Sequence, residues 1–265
     1  VLNGLWENDL ERSRSAQRIR SFQKEHPRLS VLSGMSSAYL FPTNASELPV
    51  TARPIGGTDL YYEAYNAAMY LVPDTAVQHY HKSKLVAGVE LMPFESVLGP
   101  LSALSVDLGG TTGSLGQQKE RSVLSYGDAG LRIVPAICYE SVFGEHVAAH
   151  VRNGGNLIAI MTNDGWWADS PGYHQHLTFA SIRAIETRRS IVRSANTGIS
   201  CMVDQRGIMH QPTQWWRPEA FRTTVYLNEE VTFFVRHGDL LGKAATFMAL
   251  VLLVVAAVRR RRSQV

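Results

Sequence analysis

A strand-then-helix unit recurs through the middle of the chain, and it limits the possible folds more than any other feature. Residues 131–138 (LRIVPAIC) form an apolar run that closes on a polar group, and residues 142–152 follow with helical periodicity. Residues 156–161 (NLIAIM) repeat the apolar run and end at Thr162-Asn163-Asp164, with a second helix predicted over residues 174–189. Residues 190–195 and, past Thr197-Gly198, residues 199–204 complete the series. Apolar strands alternating with amphipathic helices indicate an α/β architecture. Polar residues gather just past the strand ends, where such folds build their sites.

The flanks are less regular. Residues 8–26 are polar with helical period, anchored by Leu10, Ile19 and Phe22 and ended by Pro27. Residues 29–34 (LSVLSG) predict a buried strand, residues 44–57 a loop, and residues 61–72 a strand pair that turns at Pro73-Asp74.

The C-terminus differs in character. Residues 244–258 carry no charge, and Thr246 is their one polar side chain. If Lys243 snorkels, the stretch extends back to Leu240. Those residues, at ~1.5 Å each, reach roughly 28 Å, close to the ~30 Å hydrocarbon core of a bilayer. A buried core helix is the alternative. Arg259, Arg260, Arg261 and Arg262 follow directly and argue against it, because such a flank marks the cytoplasmic face. The expected organisation is a catalytic domain over residues 1–239 outside the cytoplasm, a membrane helix over 240–258 and a basic cytoplasmic tail over 259–265.

Charge and cysteine content narrow the function. Lys and Arg number 26 against 23 Asp and Glu, a net charge of +3. Removing the four tail arginines leaves 22 against 23, so the body is not a basic nucleic-acid binder. Charged residues at 18% and hydrophobic ones at 45% are ordinary for a globular chain and exclude disorder. The two cysteines, Cys138 and Cys201, form no CxxC or Cys/His cluster, so zinc is not expected, while a disulfide between them stays open. Val1 is not an initiator methionine and no signal peptide follows it, so the chain is expected to begin inside a longer protein.

Cys138 ends an apolar strand and precedes Tyr139-Glu140-Ser141. A thiol at a strand-to-helix turn gains from the helix N-terminus, which favours the thiolate, and backbone N–H groups there can hold an oxyanion. A small buried hydrophobe is the other fate of such a cysteine, and the one expected for Cys201 within ISCMV. Lys82, in Tyr80-His81-Lys82-Ser83-Lys84-Leu85, could stabilise a thiolate or a tetrahedral intermediate, although most lysines are solvated surface groups. His79, His81, His146, His150, His174 and His176 are scattered, and no Cys–His dyad is legible. Thr162-Asn163-Asp164-Gly165-Trp166-Trp167 reads equally as the lip of a pocket or as a surface turn.

Together the motifs say more. Tyr-x-Lys-x-x-Leu (Tyr80, Lys82, Leu85), Gly-x-Glu (Gly88, Glu90), Cys-Tyr-Glu (Cys138 onward), Thr-Asn-Asp-x-Trp (Thr162 onward), Gln175-His176-Leu177 and Arg193-Ser194-Ala195-Asn196-Thr197-Gly198 occur in this order. The series resembles the nitrilase, or carbon–nitrogen hydrolase, superfamily, and within it most closely the apolipoprotein N-acyltransferase family. The lysine motif marks only the superfamily. Cys-Tyr-Glu and Asn-Asp-x-Trp with Gln-His-Leu are specific to the narrower family, and a terminal helix after Arg236-His237-Gly238-Asp239 also matches it.

The resemblance implies a four-layer α-β-β-α sandwich followed by one membrane helix. It implies a Glu-Lys-Cys triad in which Cys138 is the nucleophile and Lys82 the lysine, with Glu90, Tyr139 and Glu140 as further catalytic positions. Substrate contacts are expected from Asn163, Asp164, Trp166, Trp167, His176, Arg193 and Asn196. The triad glutamate normally precedes a segment like Asn3-Gly4-Leu5-Trp6-Glu7. Its Pro-Glu-Thr motif is absent here, so it is expected upstream of residue 1, and Glu7 is not assigned the role. Two further departures are Lys84, where the family usually has histidine, and Ala87-Gly88-Val89-Glu90 in place of Pro-Phe-Gly-Glu. The implied reaction is lipoprotein maturation. A fatty acyl chain passes from a phospholipid donor through a cysteine thioester to the N-terminal amine of an apolipoprotein's diacylglyceryl-cysteine, without metal or organic cofactor. The implied setting is a monomer in the bacterial inner membrane, with the catalytic domain on the periplasmic side. A membrane-anchored amidase or nitrilase, and a catalytically inactive lipoprotein-binding relative, are the alternatives.

Overall fold

The computed structural model describes residues 2–43, 45–91, 114–127, 130–168 and 170–262. Two sheets lie face to face with helices outside each. The five-stranded sheet contains β1 (Leu2–Trp6), β2 (Val31–Phe41), β3 (Arg53–Pro54), β4 (Tyr61–Leu71) and β5 (Gln78–His81), in the order β1-β2-β4-β3 with β5 also on β4. The six-stranded sheet runs β11 (Met209–His210), β10 (Cys201–Val203), β9 (Ile191–Ala195), β8 (Leu157–Thr162), β7 (Leu131–Ile137) and β6 (Leu124–Tyr126). Its centre, β7-β8-β9, is parallel. The crossovers are α2 (Gly144–Arg152) and α3 (Gly172–Thr187); α1 (Arg14–Glu25) covers the other sheet.

Side-chain alternation along the strands builds this layering. On β4, Ala67, Met69 and Leu71 face Leu10 and Ala16 of the α1 layer, while Ala68 and Tyr70 turn inward. Inward they meet Ile133, Ile137, Ala159 and Met161 of the second sheet. The alternate residues Val134, Ala136, Ile158 and Ile160 pack on Val147, Val151, Leu177 and Ala180 of α2 and α3. Three apolar interfaces thus separate four layers, the expected α-β-β-α sandwich. Strands covered on both faces carry no polar stripe, which is why β7 and β8 read as unbroken apolar runs.

Several boundaries differ from expectation. Residues 61–72 are no strand pair. β4 is one strand, paired with β2 from Val31↔Leu71 to Phe41↔Tyr61. Asn66, in the middle of β4, serves the site described below. β2 itself extends to Phe41, through Ser36 and Ser37, where apolar patterning lapses. The helix expected over residues 8–26 divides at Ser13, whose side chain accepts from Ala16 N at 3.2 Å and caps α1.

At the C-terminus α4 (Phe233–His237) stops at Gly238, whose φ of +72° suits glycine. The helix α5 (Leu240–Arg262) starts immediately after, with Asp239 Oδ1 accepting from Gly242 N at 2.8 Å. It runs on through the arginines rather than ending at Val258. Among the described residues it is the one helix long and apolar enough to cross a membrane. It is not a core helix, since Leu241, Phe247 and Leu252 are exposed. Residues 263–265 of the expected tail lie outside the described residues.

Candidate active site

The chemistry-bearing residues meet at one end of the sandwich. Cys138 follows the last residue of β7 and opens a 3-10 turn, Cys138–Val142, that leads into α2. Its φ is +51°, a left-handed conformation that strains a residue bearing a β-carbon. Both cysteines are free, so the disulfide is ruled out. The thiolate expectation is also corrected. Burial pushes the Cys138 thiol up, more than Lys82 and the Thr162 hydroxyl pull it down, while Asp164 and Glu90 add to the rise.

The opposite sheet supplies the lysine. Lys82 lies just past β5, only 1% exposed, and its Nζ bridges both carboxylate oxygens of Glu90 at 2.8 and 2.7 Å. Glu90 also accepts from Asn66 Nδ2 and Val86 N, each at 2.8 Å. Asn66 O accepts from Lys82 N at 2.8 Å, so one β4 residue fixes both members of the pair. Lys84 is outside, with its ammonium 5.8 Å from the Phe143 ring centre.

Glu140 joins the two halves. Its Oε1 accepts from Tyr80 Oη at 2.9 Å, Ser83 N at 2.6 Å and Lys84 N at 3.1 Å, and its Oε2 accepts from Ile137 N at 2.9 Å. The lysine turn and the cysteine turn are therefore tied to one carboxylate. Burial pushes that carboxyl up, but neighbouring His146 and the Ile137 and Ser83 amides outweigh it and hold it below the usual range. His146 Nε2 lies 3.3 Å from Glu140 Oε1, outside hydrogen-bonding geometry.

The expected substrate-contact residues fall into two groups. Asn163, Trp166, Trp167 and Asn196 are exposed, with the two tryptophan rings 5.7 Å apart. Asp164, His176 and Arg193 are instead buried beneath the Cys138 turn, at 0%, 4% and 2% exposure, with almost no surface left to touch a substrate. His176 Nδ1 and Arg193 Nη2 sit 2.9 and 2.6 Å from Asp164 oxygens. Tyr139 is half-buried, edge-on to Phe143. Glu7 engages His81 Nε2 at 2.8 Å and Ser37 Oγ at 2.5 Å. Glu7, His79 and His81 form the one group among the described residues whose ligand atoms, within 4.8 Å of one another, could hold a metal. Sequence reasoning assigned no role to Asn66, Tyr80, Ser83, Ser141 or Thr162. Tyr80 and Thr162 carried a signal, each as the first residue of a motif.

The exit of α5 lies at the same end. Glu145, in the first turn of α2, accepts from Asp239 N at 2.9 Å and pairs with Lys243 Nζ at 2.6 Å. The apolar helix therefore leaves the body beside the turn that carries Cys138.

A four-layer sandwich with a cysteine at one strand end and a buried lysine–glutamate pair facing it defines a nitrilase-type enzyme. The carbon–nitrogen hydrolase pattern matches residues 48–229, and the chain belongs to that family. An apolipoprotein N-acyltransferase of Chlorobaculum tepidum is 35% identical over 227 residues, covering 83% of this chain and 42% of that protein. Its counterpart in Geobacter metallireducens is 32% identical over 178 residues, covering 67% of this chain and 33% of its own length. The chain thus spans less than half of either relative. A solved amidase from Nesterenkonia sp. aligns at a TM-score of 0.45 and 17% identity, over 79% of this chain and 65% of that one.

Proposed function

We propose that the chain is the catalytic body of a phospholipid-dependent N-acyltransferase. A base takes the Cys138 proton, and the sulfur attacks the ester carbonyl carbon of a phospholipid. The tetrahedral oxyanion is stabilised by Lys82 and backbone N–H groups. The carbon–oxygen bond breaks, lysophospholipid leaves with the proton, and a thioester remains. The amine of an N-terminal S-diacylglyceryl-cysteine then attacks, forming the amide and restoring the thiol. The raised Cys138 thiol makes a base necessary. Glu90 is paired with Lys82, and the family resemblance implies a further carboxylate as the base, expected upstream of residue 1. Asn163, Trp166, Trp167 and Asn196 line the entrance used by substrate, while Glu140 and Tyr139 shape the nucleophile turn.

The observation that carries this reading is the attachment of the apolar helix α5, through Glu145, beside the nucleophile turn. A tether there presents Cys138 to a lipid-embedded ester and supplies proximity that a soluble amide would not need. Residues 1–239 then lie outside the cytoplasm and the arginines inside, at the inner membrane; a reporter fusion that puts Val265 outside overturns this topology. The activity is tested by offering the full-length enzyme a labelled phospholipid with a diacylglyceryl-cysteine peptide, or a small amide with water. Acyl transfer to the peptide is expected. Hydrolysis of the amide without transfer would make the protein an anchored amidase.

A further inference from the structure

The strain at Cys138 needs a cause. A left-handed residue with a β-carbon costs on the order of 1–3 kcal/mol and persists only where the surroundings over-determine it. The carbonyl oxygen of Cys138 is the group that is held. It accepts from Ser141 Oγ at 2.9 Å and lies 3.1 Å from His176 Nε2. That nitrogen is also 3.1 Å from Ser141 Oγ. On its far side the ring places Nδ1 2.9 Å from Asp164 Oδ1 and 3.3 Å from Arg193 Nη2. Asp164 is anchored in turn by Thr162 Oγ1 at 2.9 Å and Arg193 Nη2 at 2.6 Å.

We propose that the Asp164–His176–Ser141 chain is a positioning device that clamps the Cys138 carbonyl and so holds the nucleophile in its left-handed turn. None of the three touches the reacting atoms. The order Ser-His-Asp is that of a hydrolase triad, but Ser141 is only 1% exposed and its hydroxyl is engaged by the Cys138 carbonyl, so it is no second nucleophile. The rigidity runs deep, because Asp164 spans the ends of β8 and β9 by binding Thr162 and Arg193 together. Cys138 depends on that rigidity. Its sulfur must meet Lys82 and Thr162 at fixed range, and misplacement by about 1 Å can cost roughly 10²-fold in rate.

This inference rests on Cys138 being the nucleophile and not on the identity of the acyl acceptor. The test uses the full-length enzyme and the variants Ser141→Ala, His176→Phe and His176→Gln. Three quantities are measured: single-turnover acyl-enzyme formation from phospholipid, KM, and the pH profile of Cys138 alkylation by iodoacetamide read by mass. Formation should slow about 10-fold in Ser141→Ala and about 10²-fold in His176→Phe, with KM unchanged. His176→Gln, whose amide can still donate to the carbonyl, should recover most of the loss. The groups around the thiol are Lys82, Glu90, Asp164 and His176. Releasing the turn relieves the burial that dominates among them, so the alkylation profile should move toward an ordinary thiol's. That profile needs no substrate and reports even if lipid acyl transfer is the wrong activity. The proposal is overturned if KM rises while kcat holds, which would make His176 a substrate contact. It is equally overturned if Ser141→Ala, which deletes one hydroxyl and should fold, leaves both rate and profile at wild type.

Discussion

The two halves of the sandwich present their catalytic groups by opposite means. The cysteine half is built on parallel central strands with crossover helices, and Cys138 is placed from within that half, by its own 3-10 turn at the end of β7 and by His176 and Asp164 beneath it. The lysine half is antiparallel around β4, and Lys82 is placed by Asn66 on β4, Glu90 past the turn and Glu140 from the other sheet. Contacts within one sheet's own layer thus hold Cys138 in its strained turn, while hydrogen bonds drawn from both sheets bury and orient Lys82. Glu140 couples the two, so a fault in either half should reach the other.

The sharpest way to break this comparison is to exchange one atom in the cysteine half. Cys138→Ser should abolish transfer while the fold stays intact, because a hydroxyl lacks an accessible anion near neutral pH. Cys201→Ser should keep most activity, since Cys201 packs in the apolar layer under α2 and α3. Near-normal activity in Cys138→Ser, measured by acyl transfer, would remove the nucleophile from this half altogether.

The lysine half is tested next. Lys82→Ala should cost about 10²–10³ in rate or more, comparable to losing an oxyanion donor. Lys82→Arg should fail nearly as badly, since the larger, planar guanidinium could still pair with Glu90 but differs in size and geometry from the point-like ammonium that fits this site, only 1% exposed. Lys84→His should be tolerated. If Lys84→Ala eliminates the acyl-enzyme while Lys82→Ala still forms it, the two lysines have been exchanged in this account.

Much of the cysteine half was legible in the sequence, and the reason is physical. Strands covered on both faces must be apolar throughout, and a chain that reverses through a helix announces each unit locally. The lysine half was read less well: residues 61–72 were expected as a strand pair, and nothing local marked Asn66, whose side chain and carbonyl serve Glu90 and Lys82. The motif separated Lys82 from Lys84, but no local signal distinguished Asp164, His176 and Arg193 as buried supports from the exposed Asn163 and Trp166 beside them. Burial of a polar residue is decided by partners far along the chain, here between residues 138 and 193.

A smaller effect sits at the seam between the halves. His150 on α2 packs edge-on against Tyr80 at 5.4 Å and donates from Nδ1 to Ser122 O at 2.7 Å. Burial, helped by nearby His146, pushes its pKa from 6.5 down to about 4. The unfolded chain therefore takes up this proton first. Stability should be full above about 6.5 and fall as pH drops toward about 4, by about 3 kcal/mol from this group. His150→Asn retains an amide donor and cannot titrate, so its denaturation midpoint should decline less over that interval. An unchanged slope would place the acid sensitivity elsewhere.

The central claim is a covalent one, and mass spectrometry of the full-length enzyme tests it most directly. Incubated with phospholipid and no acceptor, the enzyme should gain one fatty acyl group on the peptide that contains Cys138. The adduct should be released by hydroxylamine and discharged by a diacylglyceryl-cysteine peptide. An adduct on Cys201, one that persists in Cys138→Ser, or none at all while transfer proceeds would contradict the account.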